Sequence, residues 1–386
     1  MKWHNKARLR SLDNLIEFKG NLVYKSPTQP LIYSSPHFLS FLPPHFRTYP
    51  IKKETMDREQ EDLQFLGLFG IYRESFKIIY KWRKIFSQIT LALIIPLSFI
   101  FLAHMEISYL IFSRMRHTAY LLYQIYPGSG TYHLLFDRMT RERAYFWLFR
   151  LAYYIVILIF YLLSTSAVVY TIACVYTARD ITFKKIMSVV PKVWKRLMLT
   201  FLCAFLAFFI YNVVFVLTML LWIVTIGDSN AFVPIFYITL ILYLVGFVYM
   251  TVVWQLASVV SVLENTYGFK AVMKSKNLIK GKLWIAIFIF FKLNFSLVCV
   301  QFVFEIFVVH GYYLETWKKF LIGTACLAGL YMLVLLGLVI QTIIYFVCKS
   351  YHHENIDKSA LSDHLEVIYL GEYLPLKGKD IQLERV

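Results

Sequence analysis

Two ionisable residues, Lys292 and Glu305, lie inside one long apolar segment of this chain, residues 283–308. A charge near the centre of a bilayer costs about 2.5–3.5 kcal/mol on insertion scales, so such residues are candidates for binding or permeation. Thirteen positions separate the two residues, which places them on different faces of a helix. Either their side chains reach toward the nearest interface, or they line a polar path.

Neutral polar residues also occur at membrane depth, and their commonest use is an interhelical hydrogen bond worth about 0.6–2 kcal/mol. These amides are Asn212, Gln255, Asn294, Gln301 and Gln341.

Cysteine and histidine offer little metal chemistry in this sequence. The five cysteines have no metal-ligand spacing and indicate no disulfide framework. Cys174 and Cys348 lie near the ends of apolar segments, where they are either S-palmitoylated or packed as inert thiols. His352, His353 and Glu354 could ligate a metal, but adjacent histidines point apart on a helix. We therefore predict no metal site.

The chain carries no sequence motif of a known catalytic site. It has no nucleophile elbow, zinc-protease helix, phosphate-binding loop or dinucleotide fingerprint. The hydrophilic segments supply no combination of acid, base and nucleophile. We therefore expect a protein that is not an enzyme, with no catalytic residues and no cofactor.

Basic residues precede long apolar segments three times. The charge of +17 is explained by these flanking residues, so we expect anionic lipid headgroups rather than nucleic acid as the partner. Each Lys or Arg near an anionic surface contributes about 1 kcal/mol. The predicted headgroup-binding residues are Lys77, Lys81, Lys84, Lys184, Lys185, Lys192, Lys195, Lys270 and Lys274.

Each basic segment has the pattern of an amphipathic helix. In the first, the basic residues form one stripe, and Phe69, Tyr72, Phe76 and Ile79 form the opposite one. The second is interrupted by Pro191, and the third is the weakest. Such helices either lie in the membrane interface or extend the following transmembrane helix.

The elements that position these residues are transmembrane helices. The chain is 59% hydrophobic and 16% charged, whereas soluble domains are about a quarter charged. Six apolar segments exceed the eighteen residues needed to cross a bilayer, and they lack the alternation of barrel strands. We predict an all-α membrane protein with spans at 87–108, 146–170, 197–225, 232–262, 283–308 and 320–347.

The basic segments also predict an internal repeat of a surface helix followed by a membrane hairpin. A shift of 86 residues aligns Phe183 with Phe269 and Leu197 with Leu283. Duplication into a pseudo-symmetric bundle explains this pattern, and chance similarity among basic helices is the alternative.

The distribution of Lys and Arg predicts the orientation. The predicted cytosolic segments carry 22 of them and the opposite side 7, which puts both termini in the cytosol. Residues 109–145 hold five arginines on the opposite side and could fold as helices broken at 127–130. If the first span were a re-entrant hairpin, this loop would be cytosolic instead.

The last span carries small residues four apart or at multiples of four, namely Ala325, Gly329 and Gly337. Such residues let two helices approach closely. They pack inside the bundle, or they mediate a homo-oligomer through span six.

The ends of the chain differ from its centre. Residues 1–55 are basic and rich in Ser and Pro, so we expect a disordered extension that precedes a functional start at Met56. Residues 56–348 form the six-helix domain, and residues 349–386 form a cytosolic tail. The plasma membrane and the endoplasmic reticulum are equally expected locations.

Four short motifs stand out in the second half of the chain. They are Val-Val-Ser-Val-Leu-Glu at 259–264, Tyr-Gly-Phe-Lys-Ala at 267–271, Leu-Ile-Lys-Gly-Lys at 278–282, and Leu-Gly-Glu-Tyr-Leu-Pro-Leu at 370–376. With them, residues 56–386 or so resemble a plant family of multi-pass membrane proteins of unknown function, whose members are sometimes labelled polyadenylate-binding-protein-binding proteins. The helix-and-hairpin layout is more distantly similar to the membrane domain of some bacterial glycerophosphodiester phosphodiesterases, whose catalytic domain this chain lacks.

The sequence therefore favours a non-enzymatic integral membrane protein that organises or senses anionic lipid, or that scaffolds partners at a membrane. A transporter or channel with Lys292 and Glu305 along its path is the alternative.

Overall fold

The computed structural model describes residues 65–177, 181–227 and 232–352, and these residues are mainly helical, with no strand among them. The predicted extension at 1–55 and most of the predicted tail lie outside the described residues. The helices are α1 (Leu68–Lys81), α2 (Arg83–Ile89), α3 (Ile95–Gln124), α4 (Gly130–Tyr176), α5 (Phe183–Ile226), α6 (Phe232–Leu263), α7 (Phe269–Leu278), α8 (Leu283–Phe304) and α9 (Thr316–Tyr351). A π-helical turn, Thr90–Ile94, joins α2 to α3, and another, Glu305–Val309, ends α8.

Six helical segments in the described part are long and apolar enough to cross a membrane. The all-α fold with six spans is therefore confirmed, and the chain is a multi-pass membrane protein. The helices extend beyond the apolar segments that predicted them. The 47 residues of α4 measure about 70 Å at 1.5 Å per residue, against a hydrocarbon core of about 30 Å.

Residues 109–145 fold as the ends of two helices around a short turn. Gly128 has a φ of 101°, and the Ser129 side chain accepts a hydrogen bond from the Tyr132 backbone N–H at 3.2 Å, which caps α4. The predicted break at 127–130 is confirmed. The chain continues as a helix from Arg83 through Gln124 without reversing, so the re-entrant alternative for the first span is wrong.

The bundle consists of three helical hairpins, and the second helix of each hairpin lies at its centre. The pairs are α3 with α4, α5 with α6, and α8 with α9, and the second members α4, α6 and α9 contact one another. Near their C-terminal ends these three helices are buried on all sides, over residues 164–174, 256–263 and 338–348. A helix that is apolar all round belongs in such a central position.

The three units repeat the same burial pattern. Each basic segment buries residues at one position and at four and seven positions further on, which is one face of a helix. Between the second and third units the buried triplets are related by a shift of 85 residues, one fewer than the alignment of Phe183 with Phe269 suggested. The triplets are Ile71, Ser75 and Ile78; Ile186, Val190 and Val193; and Ala271, Ser275 and Leu278.

Beyond the shared core, the α5–α6 hairpin contacts mainly itself. The Tyr211 hydroxyl donates to the Tyr243 carbonyl oxygen at 2.8 Å. The Tyr243 hydroxyl donates to Asn212 Oδ1, also at 2.8 Å. This second bond is the interhelical use predicted for Asn212. Gly246 gives the Tyr211 ring the room to lie flat against Tyr243.

Candidate lipid-binding face

The three basic segments meet at one end of the bundle. Helix α1 contacts α9, α2 contacts α5, and α7 contacts α5, α6 and α9. Thr200 Oγ1 accepts a hydrogen bond from the Gly268 backbone N–H at 2.9 Å, and His352 Nε2 donates to the Leu278 carbonyl oxygen at 3.0 Å. We call this surface, formed by residues 68–89, 183–197 and 269–278, the basic face.

Helix α1 packs against the bundle with an aliphatic side that the sequence analysis did not single out. Ile71, Ser75 and Ile78 are buried, whereas Phe69 and Phe76 are 85% and 57% exposed. Two members of the apolar stripe, Phe69 and Phe76, therefore lie on the exposed side of α1, and aliphatic residues outside the stripe fill the core. The exposed aromatic rings of α1 instead lie next to its basic stripe, as in helices that dip into the headgroup layer.

The second basic segment is continuous with a transmembrane helix. Residues from Phe183 onward form the first turns of α5, and Pro191 lies inside this helix on its exposed side. Of the two interpretations for this segment, extension of the following span is the correct one. Water at the surface can satisfy the carbonyl that a proline leaves without its N–H partner.

The third basic segment is a separate helix, α7. It ends before Gly281, whose φ of 91° reverses the chain into α8, and the missing side chain leaves room for the Tyr351 ring. Phe269 and Met273 are exposed on α7 beside Lys270. Exposed apolar side chains therefore accompany basic residues here as they do on α1.

A charge cluster at the edge of this face is structural, and the sequence did not reveal it. Glu264 follows α6 directly, and its side chain is 12% exposed. Lys274 Nζ lies 2.6 Å and Lys349 Nζ 3.1 Å from its carboxylate oxygens, and the Tyr345 hydroxyl donates to it at 2.7 Å. These contacts tie together the ends of α6, α7 and α9.

The environment of Glu264 favours its ionised form. Burial raises the pKa of this carboxyl, but the hydrogen bond from Lys274 and the charge of Lys349 outweigh burial and hold the pKa below its usual range. The sequence offered one sign of this cluster, because Glu264 ends an apolar segment and Lys274 follows it by ten residues. The second partner, Lys349, lies 85 residues after Glu264 and could not be inferred.

The predicted headgroup lysines fall into two groups. Lys274 belongs to the Glu264 cluster, and Lys185 is half-buried. The other predicted lysines are exposed on the basic face, and they are Lys77, Lys81, Lys84, Lys184, Lys192, Lys195 and Lys270.

Lys292 and Glu305 are not brought together. Both are exposed on α8 and its π-helical end, about 20 Å apart along the axis. Lys292 Nζ lies 5.4 Å from the centre of the Tyr72 ring on α1, a cation–π contact. This geometry fits a lysine that reaches toward the basic face.

The three small residues of span six have different surroundings. A Cβ at Gly329 would lie 3.7 Å from the Val300 side chain of α8, so this glycine faces the neighbouring helix. Gly337 borders a cleft beside α8, whereas Ala325 is exposed. Packing within the bundle accounts for Gly329, whereas Gly337 has open space around it.

The remaining candidates have structural surroundings. Cys174 and Cys348 are buried in the central helices, so the close packing around them leaves no space for an acyl chain. No group of three metal-ligating side chains occurs in the described parts of the chain. His352 serves the end of α7, and His353 and Glu354 lie outside those parts.

The chain matches one protein-family model over residues 56–386, the Domain of unknown function (DUF8558). It belongs to this family. The matched residues contain all six spans and the basic face, so the fold described above is that of a DUF8558 domain. No curated protein matches the chain, and no solved structure does.

Proposed function

We propose that this DUF8558 protein is a non-enzymatic membrane protein whose basic face binds anionic lipid headgroups and so organises or senses them. The observation that carries the proposal is the composition of that face. Seven exposed lysines lie beside exposed aromatic and methionine side chains, on helices whose opposite sides are packed against the core.

The arrangement suits an anionic surface for two reasons. Each Lys near the headgroups contributes about 1 kcal/mol, so several acting together give a substantial preference for anionic lipid. The supporting helices are already ordered, because Ile71 and Ile78 anchor α1 and Ala271 anchors α7. Little conformational entropy is then lost when headgroups bind.

Orientation follows from the same residues. Basic segments favour the cytosolic side, so we place the basic face and both termini in the cytosol, in the plasma membrane or the endoplasmic reticulum.

The transporter alternative has less support. Lys292 and Glu305, its proposed path residues, are exposed on the outside of the bundle rather than facing each other. At the basic end, residues 338–348 of α9 are buried among the surrounding helices. A path along the bundle axis would have to open this packing.

The test measures lipid selection by the full-length protein. The protein is reconstituted in nanodiscs of phosphatidylcholine with about a third phosphatidylserine, and the co-purified lipid is quantified after detergent extraction. Phosphatidylserine should be enriched around the wild type, and the enrichment should fall as salt screens the charges.

Charge-reversal variants identify the surface responsible. Lys184→Glu combined with Lys195→Glu and Lys270→Glu should abolish the enrichment. Lys318→Glu with Lys319→Glu, at the opposite end of the bundle, is the control and should leave it intact. Equal enrichment in both variants would refute a role for the basic face.

A further inference from the structure

A small cleft, lined mainly by apolar side chains with four polar ones among them, lies where the central helices diverge from one another. Its volume is about 90 Å³, which is room for several water molecules or for one polar group of a larger molecule. Each central helix contributes a polar residue to its lining, and α8 closes one side. The polar lining residues are Tyr161 of α4, Gln255 of α6, Asn294 of α8 and Gln341 of α9.

Gln341 is the residue that points to a ligand. It is 1% exposed, and its Nε2 has no hydrogen-bond acceptor among the residues that the structure describes. Buried polar groups in folded proteins are almost always paired, so an orphan donor bordering a cavity indicates a missing acceptor. The missing partner must accept a hydrogen bond from an amide.

The cleft is accessible from the side of the bundle. Asn294 is exposed at its outer end and Gln341 is buried at its inner end. Between them, Gly337 leaves open space, because a Cβ on this residue would meet no atom within 4 Å. A chain-bearing molecule could therefore place a polar group inside while its tails stay in the bilayer.

The depth of the cleft in the membrane can be inferred from Lys292, and it corresponds to the glycerol region of a lipid. Lys292, two residues before Asn294 on α8, carries its ammonium group against Tyr72 of the α1 helix. A lysine in a span places its ammonium at the edge of the headgroup layer. The cleft thus lies just below that layer, next to the glycerol ester oxygens of the leaflet on the basic side.

We propose that the cleft binds a neutral acceptor oxygen of a membrane lipid, the ester carbonyl of its glycerol backbone, with Gln341 Nε2 as the donor. The lining residues carry no charge, which suits an ester and not a phosphate. This site is independent of the basic face, because it requires no anionic headgroup.

The experiment compares two zwitterionic lipids that differ only in the carbonyl. Delipidated full-length protein in detergent is titrated with dioleoylphosphatidylcholine or with its diether analogue, and binding is followed by native mass spectrometry. The ester lipid should bind about fivefold more tightly to the wild type, the equivalent of one hydrogen bond. Equal affinities for the two lipids would overturn the proposal.

Two variants test the site from different directions. Gln341→Leu removes the donor, and Gly337→Leu fills the cleft while keeping Gln341, so either should abolish the ester preference. Gln301→Leu, the same change on α8 away from the cleft lining, should retain it. If the folded Gly337→Leu protein keeps the full preference, the proposal fails even when Gln341→Leu is not recovered.

Discussion

Replacement of Glu264 by Gln should destabilise the protein by about 2–3 kcal/mol. The substitution keeps the size of the side chain and removes its charge. Lys349 is then left at 17% exposure without its counter-charge, and removing one partner of a buried ion pair costs about 3–5 kcal/mol.

The expected loss of stability is below the range for a fully buried ion pair for two reasons. The Lys274 side chain is 34% exposed, so its ammonium can turn toward water when the carboxylate is lost. The amide oxygen of the substituted side chain can still accept a hydrogen bond from Tyr345. At about 2 °C per kcal/mol for a chain of this size, Tm should fall by about 4–6 °C.

Thermal unfolding in detergent, followed by intrinsic fluorescence, measures this change. Glu74→Gln is the matched control, because it breaks the exposed pair with Lys77 on α1 and should shift Tm by less than about 2 °C. Shifts of equal size in the two variants would contradict the assignment of Glu264 as the structural carboxylate of the basic face.

The same variant predicts a pH dependence. The pKa of Glu264 is lower in the folded protein than in the unfolded chain, where it is about 4.3. Its contribution is therefore complete above the unfolded pKa and is lost as pH falls through the folded one. The stability difference between wild type and Glu264→Gln should stay constant from about pH 8 to 6 and narrow below about pH 4.5. A difference that stays unchanged to about pH 3 would contradict this account of the carboxylate.

Three further substitutions test other contacts by the same unfolding assay. Gly246→Ala should cost about 1–3 kcal/mol because its Cβ collides with the Tyr211 hydroxyl, and adding Tyr211→Phe should recover part of the loss. His352→Ala should cost about 1 kcal/mol, since it leaves the last carbonyl of α7 without its donor. Gly281→Ala should cost about 1–3 kcal/mol through its positive φ and the Tyr351 contact, whereas Gly130→Ala, with open space around it, should be neutral or stabilising.

The spans could be predicted from sequence because length and apolarity alone decide whether a segment crosses a bilayer. The side on which a surface helix packs could not be predicted in this way. In α1 both Ile71 and Phe69 are apolar, and only the shape of the bundle decides that the isoleucine is buried and the phenylalanine exposed.

Some residues of the candidate site could likewise be predicted from sequence, and others could not. Basic residues such as Lys184 and Lys270 could be predicted, because exposed charge beside a span needs no partner. The role of Lys274 could not, since Glu264 binds it together with Lys349 from a distant helix. Gln341 was visible as a polar residue in a span, but its unpaired donor depends on how three helices diverge.

The length of α4 has a practical consequence. Because this helix and α3 together continue well past the thickness of a hydrocarbon core, the turn at 125–129 stands clear of the lipid. An epitope inserted beside Gly128 would report where the far end of the molecule lies. With the proposed orientation, antibody would bind it on unbroken cells if the protein is in the plasma membrane, whereas sealed microsomes would shield it if the protein is in the endoplasmic reticulum.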